Sequence, residues 1–494
     1  MSGRFKLSPR RPFALAMLAG VALALRLATV FLLSGPVDER LTYEHGEIAE
    51  NLLAGRGFTV HFLGAEGPTS QQAPLYPVML AGCYALLGTG SNASLLLMQC
   101  LQCLAGVGIV LASFWLARNL VPSTPSVAWT TAVVAAVYPP HLYMVTHIQV
   151  VAWAALLLVT LLALVTSPRF AGTFRGAIVG GVLAGLVLLV DPILALALPV
   201  AALAFWRFGL KQQAIEDIPL DESHRYFDAW RTPFGNAVLM GAVALVVVAP
   251  WLVRNRNVHG EWVFIKSSFG YAFWQGNNPH SWGTDKIPKA EANEMLHDHD
   301  GSIAGWHQAL WKARHETLYI DDVLLTPEDY RVMSAMTEPA RSHYLGDRAW
   351  KFIAEEPAHY AKLCGQRLVY FLGIDPTNPK TAHPLYRGCT AVWLVLVTMG
   401  LLLARPHLRT LWPSLATFAV LAAFHALTIT SVRFRIPLEP LSFVWAGLAV
   451  GPLLARLTEA WLDARQVETS YEPLRVVMPK RSKRRGSEQK KSAA

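Results

Sequence analysis

The amino-acid sequence predicts an all-α protein that crosses a membrane many times and carries one sizeable, mainly helical polar domain between its spans. Three observations point there. The 494-residue chain is 53% hydrophobic and only 16% charged, with a mean hydropathy of +0.33. A soluble chain is about 25% charged, so most of this one avoids water. Apolar runs of spanning length recur along it, and its polar residues are gathered into a few blocks, chiefly 35–74, 207–231, 254–385 and the C-terminal tail.

Taken in order, the first run is 12–34. It is too long for a signal-peptide core and shows no small-residue cleavage site, so it reads as an uncleaved span. Further apolar runs lie near 75–90, 92–117, 126–146, 149–166, 174–190, 191–206 and 235–252, then 388–404, 410–430 and 438–456. Much of the net charge of +9 sits at the ends: Arg4, Lys6, Arg10 and Arg11 before the first run, and Lys480 to Lys491 after the last. By the positive-inside rule both termini are cytoplasmic, in a multi-pass protein of the inner or plasma membrane. The tail reads as a topology-setting extension with membrane lipids, not nucleic acid, as its surroundings. The crossings then number about ten, with 11–12 as the upper alternative. Seven runs separate loop 35–74 from region 254–385, yet both must share the outer face, so one run is not a full crossing: 75–90, or the 174–206 stretch, which Asp191-Pro192 kinks. The expected divisions are 1–11 (cytoplasmic), 12–253 (bundle, with a polar cytoplasmic segment at 207–234), 254–385 (extracytoplasmic), 386–456 (C-terminal spans) and 457–494 (basic tail).

Several features carry less. Five cysteines, including Cys100 and Cys103 at CxxC spacing inside an apolar run, read as packing groups, because no second ligand pair is present. HDHD at 297–300 reads as a solvated turn, and Asn277-Asn278 before Pro279 as another turn. The aromatic alternation from Trp262 to Trp274 suits short strands or an aromatic-lined surface, with helices following near 303–320, 327–337 and 338–356. Arg26, midway along the first span, needs a partner within the bundle, and Asp191 is one candidate.

The richest stretch is 37–77. Five acids (Asp38, Glu39, Glu44, Glu47, Glu50) fall within thirteen residues at a membrane boundary. Glu44, Glu47, Ile48 and Asn51 follow helical spacing, which puts Glu44 and Glu47 on one helix face. Acids held against a bilayer are costly unless they line a polar cavity, which marks the loop as a functional candidate.

YEHGEIAENLLAGRGF and GPTSQQAPLYPVMLAG in this stretch resemble the first outer loop of GT-C type glycosyltransferases. The resemblance is to the bacterial dolichyl-phosphate-mannose-protein mannosyltransferase-like family, which includes the lipid A aminoarabinose transferases. PWLVRNRNVHGEW (250–262), FGYAFWQGNNP (269–279) and VRFRIPLEPL (432–441) resemble the same group, so the likeness covers nearly the whole chain. It implies a GT-C-like bundle and transfer of a sugar from a polyprenyl-phosphate donor to a lipid, glycan or protein acceptor at the outer face.

The residues agree with that chemistry. A desolvated carboxylate is a stronger base, and fixed cations are needed where a lipid phosphate leaves. Glu44 is the candidate catalytic acid or base, through the Tyr-Glu-x-Gly variant of the motif, with Asp38 and Glu39 in reserve and Glu47 third. Many members carry an acid where this chain has Leu41-Thr42. Arg433, Arg435 and Arg254 are candidate phosphate ligands, since guanidinium binds phosphate bidentately and keeps its charge. Tyr43, His147 and Gln149 are candidate cavity residues. Gln149 stands where relatives often place an acid, so no cofactor is certain, although Asp38-Glu39 could hold a divalent cation. No P-loop, dinucleotide fingerprint or nucleophile elbow is present. Two readings compete: a transporter or flippase of lipid-linked sugars, which calls for inverted repeats, and a catalytically inactive GT-C-like scaffold.

Overall fold

Polar backbone in a membrane must be satisfied within the chain, and helices do this segment by segment. The computed structural model describes residues 10–35, 40–216, 232–288 and 290–470, almost all of whose ordered elements are helices. Asp38, Glu39, Arg4, Lys6 and the 480–491 basic cluster lie outside the described residues.

Helix α1 (Arg10–Leu33) is followed by α2 (Tyr43–Leu53) and a hairpin of β1 (Thr59–Phe62) and β2 (Ala65–Pro68). Leu63 and Gly64 both take positive φ (50° and 81°) at its turn, the conformation that a tight right-twisted hairpin requires. Then come α3 (Leu75–Leu87), α4 (Asn92–Leu120), α5 (Pro125–Val137), α6 (Pro139–Tyr143), α7 (Val151–Val165), α8 (Phe174–Val190), α9 (Leu198–Glu216) and α10 (Pro233–His259). The polar region holds α11 (Phe269–Gly276), α12 (Ala290–Met295), α13 (Ile303–His315), α14 (Ile320–Leu324), α15 (Pro327–Ser334), α16 (Glu338–Glu355) and α17 (Pro357–Leu372). A two-residue ladder pairs β3 (Lys286–Ile287) with β4 (Leu318–Tyr319). Helices α18 (Pro384–Leu403), α19 (Leu408–Leu427), α20 (Val432–Arg435) and α21 (Glu439–Ser470) complete the chain.

Among the described residues, seven helical stretches are long and apolar enough to cross a membrane: Pro12–Leu33, Asn92–Leu120, Pro192–Ala214, Pro233–His259, Pro384–Leu403, Arg405–Leu427 and Val432–Glu459. Four apolar helices are shorter: α3, α5, α7 and α8. The stretch 75–90, suspected of falling short of a crossing, is the 13-residue α3. The kink expected at Asp191-Pro192 is a real break, where Asp191 accepts from the Ile193 amide (3.3 Å) and caps a 3₁₀ turn. Residues up to Pro452 form one compact unit; a second, from Leu453 onward, is described as far as Ser470, where it continues α21.

Arg26 is fully buried and does not need Asp191. Its guanidinium donates to the carbonyls of Ala135 (3.0 Å), Ala136 (3.3 Å) and Ala22 (3.0 Å). Helix α5 stops at Val137 before Pro139-Pro140, which leaves its last carbonyls without helical donors, and Arg26 supplies them. The 262–268 stretch forms no strand; it is irregular backbone leading into α11, with Ile265 at φ 60°. Its carbonyl accepts from Trp251 Nε1 and Asn255 Nδ2, which holds a β-branched residue in a conformation it seldom adopts. Helix α8 packs closely on α10: a Cβ at Gly181 would sit 2.5 Å from the Val243 side chain and 2.6 Å from the Met240 carbonyl. Small residues are what let backbones in a bundle approach this closely.

Candidate functional site

The fold brings loop one, the α5–α6 break, the polar region and the α20 turn around one cavity of 580 Å³. Much of its wall is apolar: Leu32 and Leu33 of α1, Pro139, Leu142 and Met144 after α5, Leu385 of α18, and Ile436. Leu32 and Leu385 are also largely exposed. Against this wall, among the described residues, stand four cations, Lys286, Lys380, Arg433 and Arg435, and one carboxylate, Glu439. Helix α13 contributes Trp306, His307 and Leu310. An apolar body with a few convergent polar groups is the usual form of a small-molecule site.

Tyr43, His147, Gln149, Arg433 and Arg435 all line this cavity. Tyr43 opens α2 with φ 52°, a left-handed conformation for a bulky residue, and Glu44 follows it. Glu44 does not itself line the cavity. It is half-buried, accepts from Gln71 Nε2 (3.2 Å) through Oε1, and lies within electrostatic reach of Arg433 and Lys266. Its Oε2 has no hydrogen bond among the described residues. Glu47, on the neighbouring position of the same helix, accepts from the His61 amide (2.6 Å) and ties α2 to β1.

The three arginines part company. Arg435 is 1% exposed, with Nε on Glu439 Oε1 (2.9 Å), Nη1 on the carbonyls of Phe371 (3.1 Å) and Leu372 (2.8 Å), and Nη2 on the Tyr386 hydroxyl (3.3 Å). Glu439 is completely buried, and its Oε2 lies 3.1 Å from His141 Nε2. Ionic groups buried in this way persist only when their remaining donors and acceptors are met. Arg433 keeps 44% of its side chain exposed, and its ion pair is a long 3.9 Å contact with Asp285. Arg254 is away from the cavity wall: Nη1 donates to Thr69 O (2.6 Å) and Ser70 Oγ (3.1 Å), Nη2 to Phe58 O (3.0 Å), and its plane packs on Trp251 and Phe58. It stands as a bracket for loop one.

Lys286 and Lys380 were not singled out by the sequence. Lys286 lies 3.2 Å from Asp285 Oδ1. Burial pushes the Asp285 carboxyl up, but Lys286 and Arg433 outweigh burial and hold it below the ordinary carboxylate range. Lys380 Nζ is 2.9 Å from His147 Nε2, and His147 Nδ1 is 2.9 Å from Thr146 Oγ1. An ammonium carries donors only, so Nε2 accepts and the imidazole proton sits on Nδ1. The one signal available for Lys380 was its place in a turn before Pro384; nothing local marks it as a ligand.

Loop one is held from the other side by Glu338, the first residue of α16. Its carboxylate accepts from Thr69 Oγ1 (2.6 Å), the Ser70 amide (2.7 Å) and Ser267 Oγ (2.5 Å). Asn277, read as a turn residue, also braces the region: it donates to the carbonyls of Phe273 (2.8 Å) and Thr428 (2.9 Å) and accepts from Arg367 (2.7 Å). In HDHD, Asp300 accepts from the Ser302 amide and hydroxyl, the ordinary form of a helix-entry turn. Among the described residues no three His, Cys, Asp or Glu side chains gather as metal ligands; Asp38 and Glu39, the candidate cation pair, lie outside the described residues.

No family model matches the chain, and no curated protein matches it. Solved structures do. The aminoarabinose transferase ArnT from Cupriavidus metallidurans bound to undecaprenyl phosphate matches at 16% identity and TM-score 0.37, covering 93% of this chain and 81% of that one. The same protein in its apo state gives 15%, 0.37, 94% and 82%. The Archaeoglobus fulgidus oligosaccharyltransferase in its apo form gives 13% and 0.42, covering 91% of this chain and about half (51%) of its own length. These are GT-C glycosyltransferases.

Proposed function

We propose that this chain is an integral membrane glycosyltransferase that takes a sugar from a polyprenyl-phosphate donor and passes it to an acceptor at the outer membrane face. The observation that carries the reading is the cavity's composition among the described residues: an apolar wall that includes the exposed span residues Leu32 and Leu385, with four cations and one buried carboxylate. That is the complement of an amphiphile with an isoprenoid body and an anionic head. The motif resemblance points the same way.

In this reading Arg433 and Lys286 meet the donor phosphate, and Asp285 orients both. Lys380 adds a third charge across the cavity. As the anomeric bond breaks, negative charge grows on the departing lipid phosphate, and cations fixed in a water-poor cavity stabilise it without reorganising. Glu44 stands behind the cavity-lining Tyr43, within electrostatic reach of Arg433, and in this reading an acceptor that enters past Tyr43 gives its proton to Oε2 while Gln71 holds Oε1. Arg435 and Arg254 shape the site: the first fixes the α20–α21 turn that carries Arg433, and the second fixes loop one beneath Glu44.

The test is transfer from a radiolabelled polyprenyl-phosphate sugar in membranes containing wild type or Glu44→Gln. The Gln variant should lose roughly 10²- to 10⁴-fold in rate, the range of general-base catalysis, while still binding the donor. Undiminished transfer by the variant removes Glu44 from the mechanism.

A further inference from the structure

A second group of polar side chains gathers beside Glu44, off the cavity wall, and strained backbone puts it there. The Lys266 amide donates to the Phe264 carbonyl (2.7 Å) across Ile265, whose φ of 60° makes this a γ-turn of the rarer hand. The Ile265 side chain is buried in one apolar cluster with Ala73, Leu188 and Val248, and Leu189 and Ala195 pack against it. That cluster is the floor under Gln72, Lys266 and the α8 break at Asp191. Above it, Lys266 Nζ donates to Gln72 Oε1 (3.2 Å) and Ser268 Oγ to the Gln71 carbonyl (3.2 Å). Gln71 in turn holds Glu44.

The group is open. Asp191 and Lys266 are each other's strongest charged neighbours, with Glu44 and Arg433 also within electrostatic reach of the ammonium. Yet Asp191 and Lys266 form no ion pair within 4.0 Å. Asp191 Oδ1 caps the 3₁₀ turn, while Asp191 Oδ2, Glu44 Oε2 and Gln72 Nε2 make no hydrogen bond among the described residues and stay accessible to water. The space thus offers acceptors and donors together. A hydroxyl both donates and accepts, so neighbouring hydroxyls of one sugar ring satisfy Asp191 and Lys266 at once. An anion there is met by Lys266 and opposed by Asp191 and Glu44.

Resting on the donor reading above, we propose that Asp191, Lys266 and Gln72 form the acceptor subsite, and that the acceptor is a hydroxyl-bearing glycan ring. Asp191 and Lys266 hold two of its hydroxyls and turn a third toward Glu44. The oxygen of that third hydroxyl attacks the donor's anomeric carbon and its proton passes to Glu44 Oε2. The bond from the anomeric carbon to the phosphate oxygen breaks, and its electron pair leaves with the polyprenyl phosphate.

The experiment is transfer by purified full-length protein in nanodiscs from a radiolabelled polyprenyl-phosphate hexose to hexyl glucoside, hexyl glucuronide or hexanol, with binding of bare polyprenyl phosphate measured alongside. Asp191→Asn and Lys266→Gln should each raise the KM for hexyl glucoside roughly tenfold, as loss of a hydrogen bond to a charged group does, with kcat and polyprenyl phosphate binding within about threefold. Lys266→Arg keeps charge and donors and should recover most of the loss, which separates contact from a folding defect. Wild type should use the glucoside at least as well as the glucuronide and far better than hexanol. An unchanged KM in both variants, a lower KM in Asp191→Asn, or a wild-type preference for the glucuronide or hexanol overturns the subsite. So does polyprenyl phosphate binding that falls in step with KM in Lys266→Gln, or a wild type that binds polyprenyl phosphate and leaves all three acceptors unglycosylated. Wild type that does not bind polyprenyl phosphate overturns the donor reading itself.

Discussion

The seam beneath loop one and the cavity wall above it are both built on arginine and acid, yet they use them in opposite ways. At the seam, Arg254 donates to three loop-one oxygens, and Glu338 accepts from three donors. In the cavity, Arg433 has one ion pair at 3.9 Å and nearly half its side chain exposed. A cation whose donors are all engaged by its own protein builds structure; one whose donors are left over is available to a ligand. Arg435 shows that position alone does not decide this, because it lines the cavity and is nevertheless saturated. The contrast separates three arginines that look alike in sequence.

The largest effect should come from breaking a saturated element. Glu439→Leu leaves Arg435 buried without its counter-charge, a loss of about 3–5 kcal/mol. Thermal unfolding in detergent should show little folded protein, and a variant as stable as wild type would mean that the pair does not hold the α20 turn. Next comes the seam. Arg254→Gln removes charge-assisted bonds worth about 1.5–3 kcal/mol, so the melting temperature should fall. Glu338→Gln should fall with it, and the double variant should lose less than the sum, because both hold Thr69 and Ser70.

A smaller effect tests the boundary between the two regions. His45 is buried edge-on against Tyr76, next to Glu44. Burial first, then Lys266 and Arg433, depress its pKa from the usual 6.5 to about 3. The unfolded chain binds this proton below about pH 6.5 and the folded one only near 3. Stability contributed by neutral His45 is thus present above 6.5 and drains away as pH falls through that window, by about 1.4 kcal/mol per unit at most. His45→Phe should flatten this acid limb in pH-dependent melting; an unchanged slope would place the titration elsewhere.

How much of this was legible beforehand follows from distance along the chain. The α2 helix, with Glu44 and Glu47 on one side, could be read because 3.6-residue spacing is local. Arg435 and Glu439 also stand at i, i+4, but the spacing did not reveal that the pair saturates itself: the carbonyls of Phe371 and Leu372 complete it from more than 60 positions away. Lys286 and Lys380 were invisible for the same reason. Each sits in an ordinary polar stretch, and only the packing of the polar region onto the spans turns them toward one cavity. The break at Asp191-Pro192 announced itself through proline, whereas the true partners of Arg26 did not, because unsatisfied carbonyls leave no residue signature. Resemblance pointed to the loop, and geometry sorted the groups that the protein saturates from those it leaves open.

That sorting is most directly tested by measuring polyprenyl phosphate binding and melting temperature side by side for Arg433→Gln and Arg254→Gln. Arg433→Gln should weaken binding by roughly tenfold or more at an almost unchanged melting temperature, as the loss of a charge-assisted phosphate contact should. Arg254→Gln should melt lower yet bind within about threefold of wild type. The reverse pattern, with binding lost through Arg254 and preserved without Arg433, would contradict it.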